Sequence, residues 1–273
     1  MTELAEGIAA GGAYVDAGGL HVWYTERGQG PPLILLHGGL ATGGMWSEPA
    51  VEDLARDYRV LLPDSRGHGR TANPAGTLAY GQMADDVAAL AAALGLERPL
   101  VLGYSDGAQI ALELGLRHPG LARAMVIGGV VISPSEAYLR MVGELGFPQR
   151  GKADLDEVER AMGDWWLTLR AAHHHAQGDD AFRAYLEAIS ELWYSVPDYT
   201  DAQLSSITEP ALVIAGDRDD PSLDDSLRLY RLLPRGELAV VPKAGHGAGE
   251  KPIFWALVKD FLSRHSHPKA TDA

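Results

Sequence analysis

The sequence predicts an α/β fold, in which a mostly parallel sheet is flanked by helices and a helical cap is inserted in the second half of the chain. Short, continuous apolar runs recur along the chain, and such runs are typical of strands covered on both faces. Helical patterns separate several of the runs, which favours parallel strands joined by helices. The runs are Leu33–Leu36, Val60–Leu62, Leu100–Leu102, Met125–Ile127, Leu212–Ile214 and Leu238–Val241.

Patterns at both ends and in the middle of the chain set the predicted domain boundaries. Tyr14 to Thr25 predicts an antiparallel hairpin, and the apolar spacing after Pro252 predicts a last helix that packs on the sheet. Between Ser133 and Ser206, helical patterns rich in Trp and Tyr follow one another without a strand. We therefore predict a core of residues 14–132 and 207–265, a cap of residues 133–206, and flexible termini of residues 1–13 and 266–273.

Composition and charge exclude several classes of protein. The 273 residues, of which 46% are hydrophobic, are sufficient for one sizeable core. A net charge of -14 disfavours nucleic acid and anionic membrane surfaces as partners, and the absence of cysteine excludes thiolate chemistry. The first 13 residues lack the features of a secretory signal, and the apolar runs are too short to span a bilayer. We therefore expect a cytoplasmic protein with a small-molecule substrate, and the oligomeric state stays open.

The pentapeptide Gly103-Tyr104-Ser105-Asp106-Gly107 matches the G-x-S-x-G pattern of a nucleophile elbow. It follows an apolar strand and precedes a helical stretch that starts near Ala108. On such a strand-to-helix turn the serine projects above the sheet, and the glycines let the backbone pass closely. A serine hydroxyl also needs a histidine as proton acceptor and a carboxylate that orients the histidine. The sequence therefore predicts Ser105 as a nucleophile with two partners further along the chain.

Candidate partners follow the last two predicted strands. The first of these strands runs into Asp217, Asp219 and Asp220, and the second is followed by His246. Because the carboxyl ends of parallel strands lie at one edge of a sheet, these groups are expected to meet the end of the Ser105 strand. His246 is the predicted general base, and spacing alone leaves the choice among the three aspartates open.

Together these elements resemble the α/β-hydrolase superfamily, over about Tyr14 to His265. In that family the catalytic residues follow the order Ser, Asp, His, and the acid is the last residue of a Gly-x-x-Asp pattern. The resemblance therefore implies a triad of Ser105, Asp219 and His246. The matching elements are His37-Gly38-Gly39, Asp64-Ser65-Arg66-Gly67-His68-Gly69, Gly103-Tyr104-Ser105-Asp106-Gly107, Gly216-Asp217-Arg218-Asp219, and Gly245-His246 with Glu250 and Pro252.

The same resemblance implies an oxyanion hole and no cofactor. Its two donors would be the backbone N–H groups of Gly39 and Asp106, with Leu40 as the alternative to Gly39. His37 and the loop that contains Arg66 and His68 are expected to have structural roles. No metal is expected either.

Substrate contacts are predicted from the side chain of Asp106 and from aromatic residues of the cap. The Ser-Asp-Gly elbow resembles that of valacyclovir-hydrolase-like esterases, which implies that Asp106 binds a substrate ammonium; the alternative is an anion that complements a helix start. Trp165, Trp166 and Trp193 are predicted to contribute to an apolar pocket lid. The run His173-His174-His175 is not expected to bind a metal, because consecutive helical side chains point in different directions.

These predictions indicate a serine hydrolase that cleaves an ester or similar acyl bond through an acyl-enzyme. The serine at the elbow argues against relatives with an aspartate nucleophile, which include haloalkane dehalogenases and epoxide hydrolases. Several activities on the same triad stay open: carbon-carbon bond hydrolase, lactonase, amidase or aminopeptidase, and cofactor-free haloperoxidase. A distant alternative is a non-catalytic ligand-binding protein of this fold.

Overall fold

The computed structural model describes residues 11–174, 176–220 and 222–266, and its strands form one mixed sheet. The order across the eight-stranded sheet is β1-β2-β4-β3-β5-β6-β7-β8. β1 and β2 are antiparallel to their neighbours, and the other adjacent strands pair in parallel. The predicted mostly parallel sheet is confirmed. The strands are β1 (Gly12–Ala17), β2 (Leu20–Arg27), β3 (Pro32–Leu36), β4 (Arg59–Pro63), β5 (Leu100–Tyr104), β6 (Ala124–Gly128), β7 (Ala211–Gly216) and β8 (Gly236–Val241).

Helices cover both faces of the sheet. Successive side chains of a strand point to opposite faces, so Leu33 and Leu35 join one core cluster while Ile34 and Leu36 join another. The helices are α1 (Glu48–Leu54), α2 (Tyr80–Ala93), α3 (Asp106–Arg117), α4 (Glu136–Glu144), α5 (Leu155–Met162), α6 (Trp166–Ala172), α7 (Asp179–Trp193), α8 (Asp201–Ser205), α9 (Ser222–Leu232) and α10 (Pro252–His265). Helices α1 and α10 pack on the first face, and α2, α3 and α9 on the second.

Helices α4 to α8 form the cap between β6 and β7, and no strand occurs among the described residues of this segment. The cap is tied to the core by polar contacts. The His174 N–H donates to the Gly69 carbonyl at 2.9 Å. The Tyr199 hydroxyl donates to Glu113 of α3 at 2.7 Å. These contacts place the cap against α3 and the loop after β4.

The chain ends differ slightly from the prediction. Strand β1 begins at Gly12, where Gly12 and Ala13 pair with Thr25 and Tyr24, so these two residues belong to the sheet and not to a flexible terminus. Backbone pairing with β2 extends β1 to two residues before Tyr14, where the predicted hairpin begins. The hydrophobic pattern alone does not show this extension. The remaining predicted termini, residues 1–10 and 267–273, lie outside the described residues. Within the described part, no helix has the length and apolar character to cross a membrane.

Candidate active site

Ser105 stands on a sharp turn between β5 and α3. Its backbone has φ 55° and ψ -121°, a left-handed conformation that is rare for residues other than glycine. The turn is possible because both flanking glycines lack a side chain, which lets neighbouring backbone segments pack directly against them. A Cβ on Gly103 would lie 2.0 Å from the Gly107 oxygen, and one on Gly107 would lie 2.1 Å from the Leu36 oxygen. The predicted elbow therefore has the strained strand-turn-helix geometry that its glycine pattern implies.

His246 links the other two residues of the predicted triad. Its Nε2 lies 2.9 Å from Ser105 Oγ, and its Nδ1 lies 3.0 Å from Asp219 Oδ1. In the neutral tautomer that suits both contacts, Nδ1–H donates to the carboxylate and Nε2 accepts from the hydroxyl. The side chain of Asp219 is 3% exposed, whereas that of His246 is 50% exposed. The sheet thus brings together three side chains that are up to 141 positions apart.

The two neighbouring aspartates occupy other positions. Asp217 Oδ1 accepts a hydrogen bond from the Ala244 N–H at 3.0 Å, so it braces the loop that carries His246. Backbone hydrogen bonds from Lys243 and Ala244 lower the pKa of Asp217. Asp220 is exposed, and among the described residues it forms no hydrogen bond or ion pair with His246. Asp219 is therefore the acid that the geometry favours.

Two further contacts position the imidazole. The Tyr104 hydroxyl, from the residue before the nucleophile, donates to the His246 carbonyl at 2.7 Å. On the other side, Gly129 lies so close that a Cβ there would be 3.0 Å from His246 Cε1. Gly129 also has φ 59°, which favours glycine. The first contact fixes the backbone of His246, and the second leaves no room for a side chain at residue 129 beside the ring.

The loop after β3 crosses directly over the elbow. A Cβ on Gly38 would lie 3.2 Å from Ser105 Cβ, and a Cβ on Gly39 would lie 2.6 Å from Asp106 Oδ2. Asp106 is the first residue of α3, where a helix leaves backbone N–H groups without an intrahelical acceptor. Leu40, the alternative donor, is buried and has φ 59°. Gly39 and Asp106, the residues predicted to supply the oxyanion donors, therefore lie next to each other at the elbow.

The side chain of Asp106 is buried and held by this chain's own donors. The Trp193 indole Nε1–H lies 2.9 Å from Oδ2, and the Tyr80 hydroxyl donates to Oδ1 at 3.0 Å. Burial raises the pKa of Asp106 to about 6, against the lowering effect of these hydrogen bonds. With the residue only 5% exposed, a substrate ammonium has little access to the carboxylate. The structure therefore favours a structural role for this side chain, in which it ties the cap to the elbow.

The three predicted cap tryptophans have different surroundings. Trp193 contacts Asp106, as described. Trp166 packs inside the cap against Phe182, with ring centroids 5.4 Å apart, and it is buried there. Trp165 is 40% exposed. Periodicity identified these residues as apolar but could not distinguish the cap's own core from a pocket wall.

Two tryptophans that were not predicted lie nearer to the histidine. A groove of about 1000 Å³ opens beside His246, and Trp46 and Trp255 line it together with Met45 and Tyr104. Trp46 belongs to the loop after the oxyanion segment, and Trp255 to the first turn of α10. Trp46 lies nine residues after His37, and Trp255 lies nine residues after His246. This closeness in sequence to two predicted motifs is the signal that could have identified them.

The other motif residues have structural contacts. His37 Nδ1 lies 2.8 Å from the Gly38 carbonyl, and its Nε2 accepts from the Ser65 N–H at 2.9 Å. Burial lowers the pKa of His37 to about 4, so the ring is neutral near pH 7. Arg66 forms a two-pronged ion pair with Asp86 at 2.6 and 2.8 Å.

No group of potential metal ligands occurs among the described residues. Within the predicted non-metal histidine run, His173 is buried and its Nδ1 lies 2.8 Å from the Leu169 carbonyl. His175 lies outside the described residues.

Several known proteins that are similar to this chain are hydrolases. A family model for the alpha/beta hydrolase fold matches residues 31–147. The chain is 29% identical, over 92% of its length and 96% of the relative's, to the 2-hydroxy-6-oxo-2,4-heptadienoate hydrolase of Pseudomonas putida. It is 38% identical to the putative carbamate hydrolase RutD of Rhizobium rhizogenes, over 85% of this chain and 93% of that protein.

Solved structures agree with this assignment of the fold. A thermophilic esterase from Thermogutta terrifontis superposes with a TM-score of 0.74 at 21% identity, covering 94% of this chain and all of that one. The two sequence relatives are named as hydrolases of different substrates, a heptadienoate and a carbamate. The similarities therefore support hydrolysis without choosing the bond.

Proposed function

Because the chain belongs to the α/β-hydrolase superfamily, we propose that it is a serine hydrolase that cleaves the ester, or a similar acyl bond, of a small-molecule substrate. The observation that carries the proposal is the hydrogen-bonded row of Ser105, His246 and Asp219 beside the N–H groups of Gly39 and Asp106. This row contains a nucleophile, a base, a residue that orients the base, and donors for a negative oxygen.

The geometry supports an acylation step without further parts. Ser105 Oγ attacks the carbonyl carbon while His246 Nε2 takes the hydroxyl proton, and the Asp219 carboxylate stabilises the resulting imidazolium. The negative charge on the carbonyl oxygen is accepted by the Gly39 and Asp106 N–H groups. Each such donor is worth about 2.7–4 kcal/mol where one has been removed in other enzymes.

Collapse of the tetrahedral intermediate breaks the bond to the leaving group, which receives the proton from His246 Nε2. The product of this step is an ester between the acyl group and Ser105 Oγ. Water then repeats the sequence: His246 removes its proton, the hydroxide attacks the acyl carbon, and Ser105 recovers its proton as the acid is released.

Charge near the nucleophile favours neutral or cationic substrates. The Asp106 carboxylate belongs to the residue after Ser105, and its ionised form repels a substrate anion. At 4 Å and an effective dielectric constant near 20, that repulsion is about 4 kcal/mol. Esters and related neutral acyl compounds are therefore preferred over carboxylate-bearing substrates.

A carbon-carbon bond hydrolase is the second candidate, and the similarity to the heptadienoate hydrolase favours it. Its named substrate is an anion, which is the type of charge that the site disfavours. Incubation of the protein with neutral esters and with a 2-hydroxy-6-oxo-dienoate, in parallel, separates the two. A higher kcat/KM for the dienoate would select the carbon-carbon reaction instead.

The test of the nucleophile is the hydrolysis of p-nitrophenyl acetate by the protein and by Ser105→Ala. We expect a burst of p-nitrophenolate followed by turnover, and a loss on the order of 10⁶-fold in the alanine variant, by analogy with another serine hydrolase. Ser205→Ala, an exposed serine at the end of α8, is the matched control and keeps the full rate. Equal rates in the protein and in Ser105→Ala would exclude Ser105 as the nucleophile, and ester binding without turnover would select the ligand-binding alternative.

A further inference from the structure

The groove beside His246 is built by the core and not by the cap. One wall comes from the loop after β3 and from α1, and the other from the loop after His246 and from α10. The described residues that line it include Met45 and Trp46 on the first wall and Trp255 and Ala256 on the second, and none belongs to helices α4 to α8. The groove thus reaches the histidine from a side that the cap leaves uncovered.

The walls of the groove are aromatic and are fixed relative to each other. The rings of Trp46 and Trp255 meet edge to face, with centroids 5.8 Å apart. Trp255 Nε1–H donates to the Gly249 carbonyl at 2.8 Å, which sets the orientation of its indole. At the far end, Lys259 Nζ of α10 lies 2.6 Å from Asp53 Oδ2 of α1 and joins the two walls. Rigid aromatic surfaces of this kind suit a flat, apolar ligand.

The position of the groove beside His246 indicates which part of the substrate it would bind. His246 must return its proton to the leaving group, so that group has to lie beside the imidazole. Met45, at the inner end of the groove, accepts a hydrogen bond through Sδ from the Gly38 N–H at 3.2 Å, next to the predicted donor Gly39. His246 itself lines the groove, so the groove adjoins the imidazole that returns the proton to the leaving group.

The charged side chains at the rim of the groove indicate the charge of the leaving group that it would accept. Asp53 is compensated by Lys259, whereas Glu250 has no ion pair among the residues that the structure describes. Glu250 lies over the residue after the histidine, since a Cβ on Gly247 would be 3.3 Å from Glu250 Oε1. An anionic leaving group would meet this carboxylate on its way out.

We propose that this groove is the leaving-group site, and that the leaving group is an uncharged alcohol that carries an aromatic ring. The proposal rests on the proposed function, because only a bond-cleaving reaction gives the groove this role.

The first test fills the groove by Ala256→Trp, a change at an exposed position of α10. We expect the ratio of kcat/KM for 2-naphthyl acetate to that for methyl acetate to fall by about tenfold, the scale on which pockets discriminate by size. The ratio of p-nitrophenyl octanoate to p-nitrophenyl acetate, which varies only the acyl chain, is expected to stay within about twofold. The control is Ala92→Trp, at an exposed position of α2, which changes neither ratio. A change in the acyl ratio instead, or no change in either, would overturn the proposal.

A binding measurement separates this inference from the proposed function. Isothermal titration of 2-naphthol into Ser105→Ala is expected to detect binding that Ala256→Trp weakens by about tenfold and Ala92→Trp does not. Naphthol binding of this kind in a protein that hydrolyses no ester would contradict the proposed function and keep the groove as a ring-binding site. Ester hydrolysis without naphthol binding would contradict the groove and keep the proposed function.

The charge argument has its own pair of variants. Glu250→Gln is expected to favour p-carboxyphenyl acetate over phenyl acetate, with the ratio of their kcat/KM values rising by roughly threefold and by less at high salt, because the site is exposed. Glu97→Gln, before β5 at the opposite edge of the sheet, is the control and leaves the ratio unchanged. An unchanged ratio in Glu250→Gln would refute the preference for uncharged leaving groups.

Discussion

Replacement of Asp106 by asparagine removes a buried negative charge and nearly preserves the shape of the side chain. The carboxylate accepts from Tyr80 through Oδ1 at 3.0 Å, and from Trp193 through both oxygens, at 3.1 Å to Oδ1 and 2.9 Å to Oδ2. An asparagine carbonyl oxygen in the position of Oδ1 can accept both hydrogen bonds to that atom. The Asp106→Asn variant loses the Trp193 contact with Oδ2 at every pH, so the part of its stability change that depends on pH reports the cost of the charge.

The size of the effect follows from the position of the pKa. Burial raises the pKa of Asp106 from 3.8 to about 6. A tenfold change in proton affinity is worth about 1.4 kcal/mol, so an ionised Asp106 lowers the free energy of unfolding by about 3 kcal/mol. Below pH 4 the carboxyl is largely protonated in both states, and the cost is small. Between pH 4 and about 6 the unfolded chain releases its proton first, so stability falls as pH rises, and above that range the cost is complete.

Urea unfolding at pH 4 and pH 8, followed by circular dichroism, measures this cost. We expect the stability of Asp106→Asn relative to the native protein to be greater at pH 8 than at pH 4, by about 2–3 kcal/mol. Asp198→Asn, at an exposed position, is the control, and its stability should run parallel to that of the native protein. Parallel curves for Asp106→Asn as well would refute the reasoning, because they would mean that the buried carboxylate carries no cost.

Three other substitutions test the predicted acid, the hydrogen bond to the histidine loop, and the close packing of the nucleophile elbow. Asp219→Asn is expected to lower kcat for p-nitrophenyl acetate by about 10⁴-fold, because the altered hydrogen bond favours the wrong tautomer of His246; a loss below tenfold would exclude Asp219 as the acid. Asp217→Asn weakens only the brace of the histidine loop, so its loss of kcat is expected to be at least about 100-fold smaller than that of Asp219→Asn, and an equal loss would assign both aspartates to the triad. Gly103→Ala is expected to yield little folded protein in a solubility and circular dichroism assay, since its Cβ would lie 2.0 Å from the Gly107 oxygen; a folded, active variant would show that the elbow can relax.

The parts of the site that could be predicted from sequence are those fixed by strand ends. Ser105 and Asp219 follow the buried strands β5 and β7, and His246 follows the edge strand β8. Because parallel strands end at one edge of the sheet, their convergence follows from the order of the strands. The elbow could be predicted because its two glycines are required by close backbone contacts at both flanks of the serine.

The parts that could not be predicted depend on how distant elements dock. The contact between Trp193 and Asp106 joins residues 87 positions apart and depends on the way that the cap sits on α3. The groove needs α1 and α10, near opposite ends of the chain, to pack side by side, and the ion pair between Asp53 and Lys259 spans 206 positions. No local pattern encodes either arrangement, because the side chains involved are ordinary apolar or charged residues of amphipathic helices.

The difference in solvent exposure between Asp219 and His246 bears on the deacylation step of the proposed reaction. Asp219 is 3% exposed and His246 is 50% exposed, so bulk solvent already touches the ring that must activate a water molecule. In the proposed reaction, a water molecule can therefore reach the imidazole from bulk solvent after the leaving group has departed. Deacylation by this route would not need the cap helices to open, because the exposed side of the ring already faces solvent.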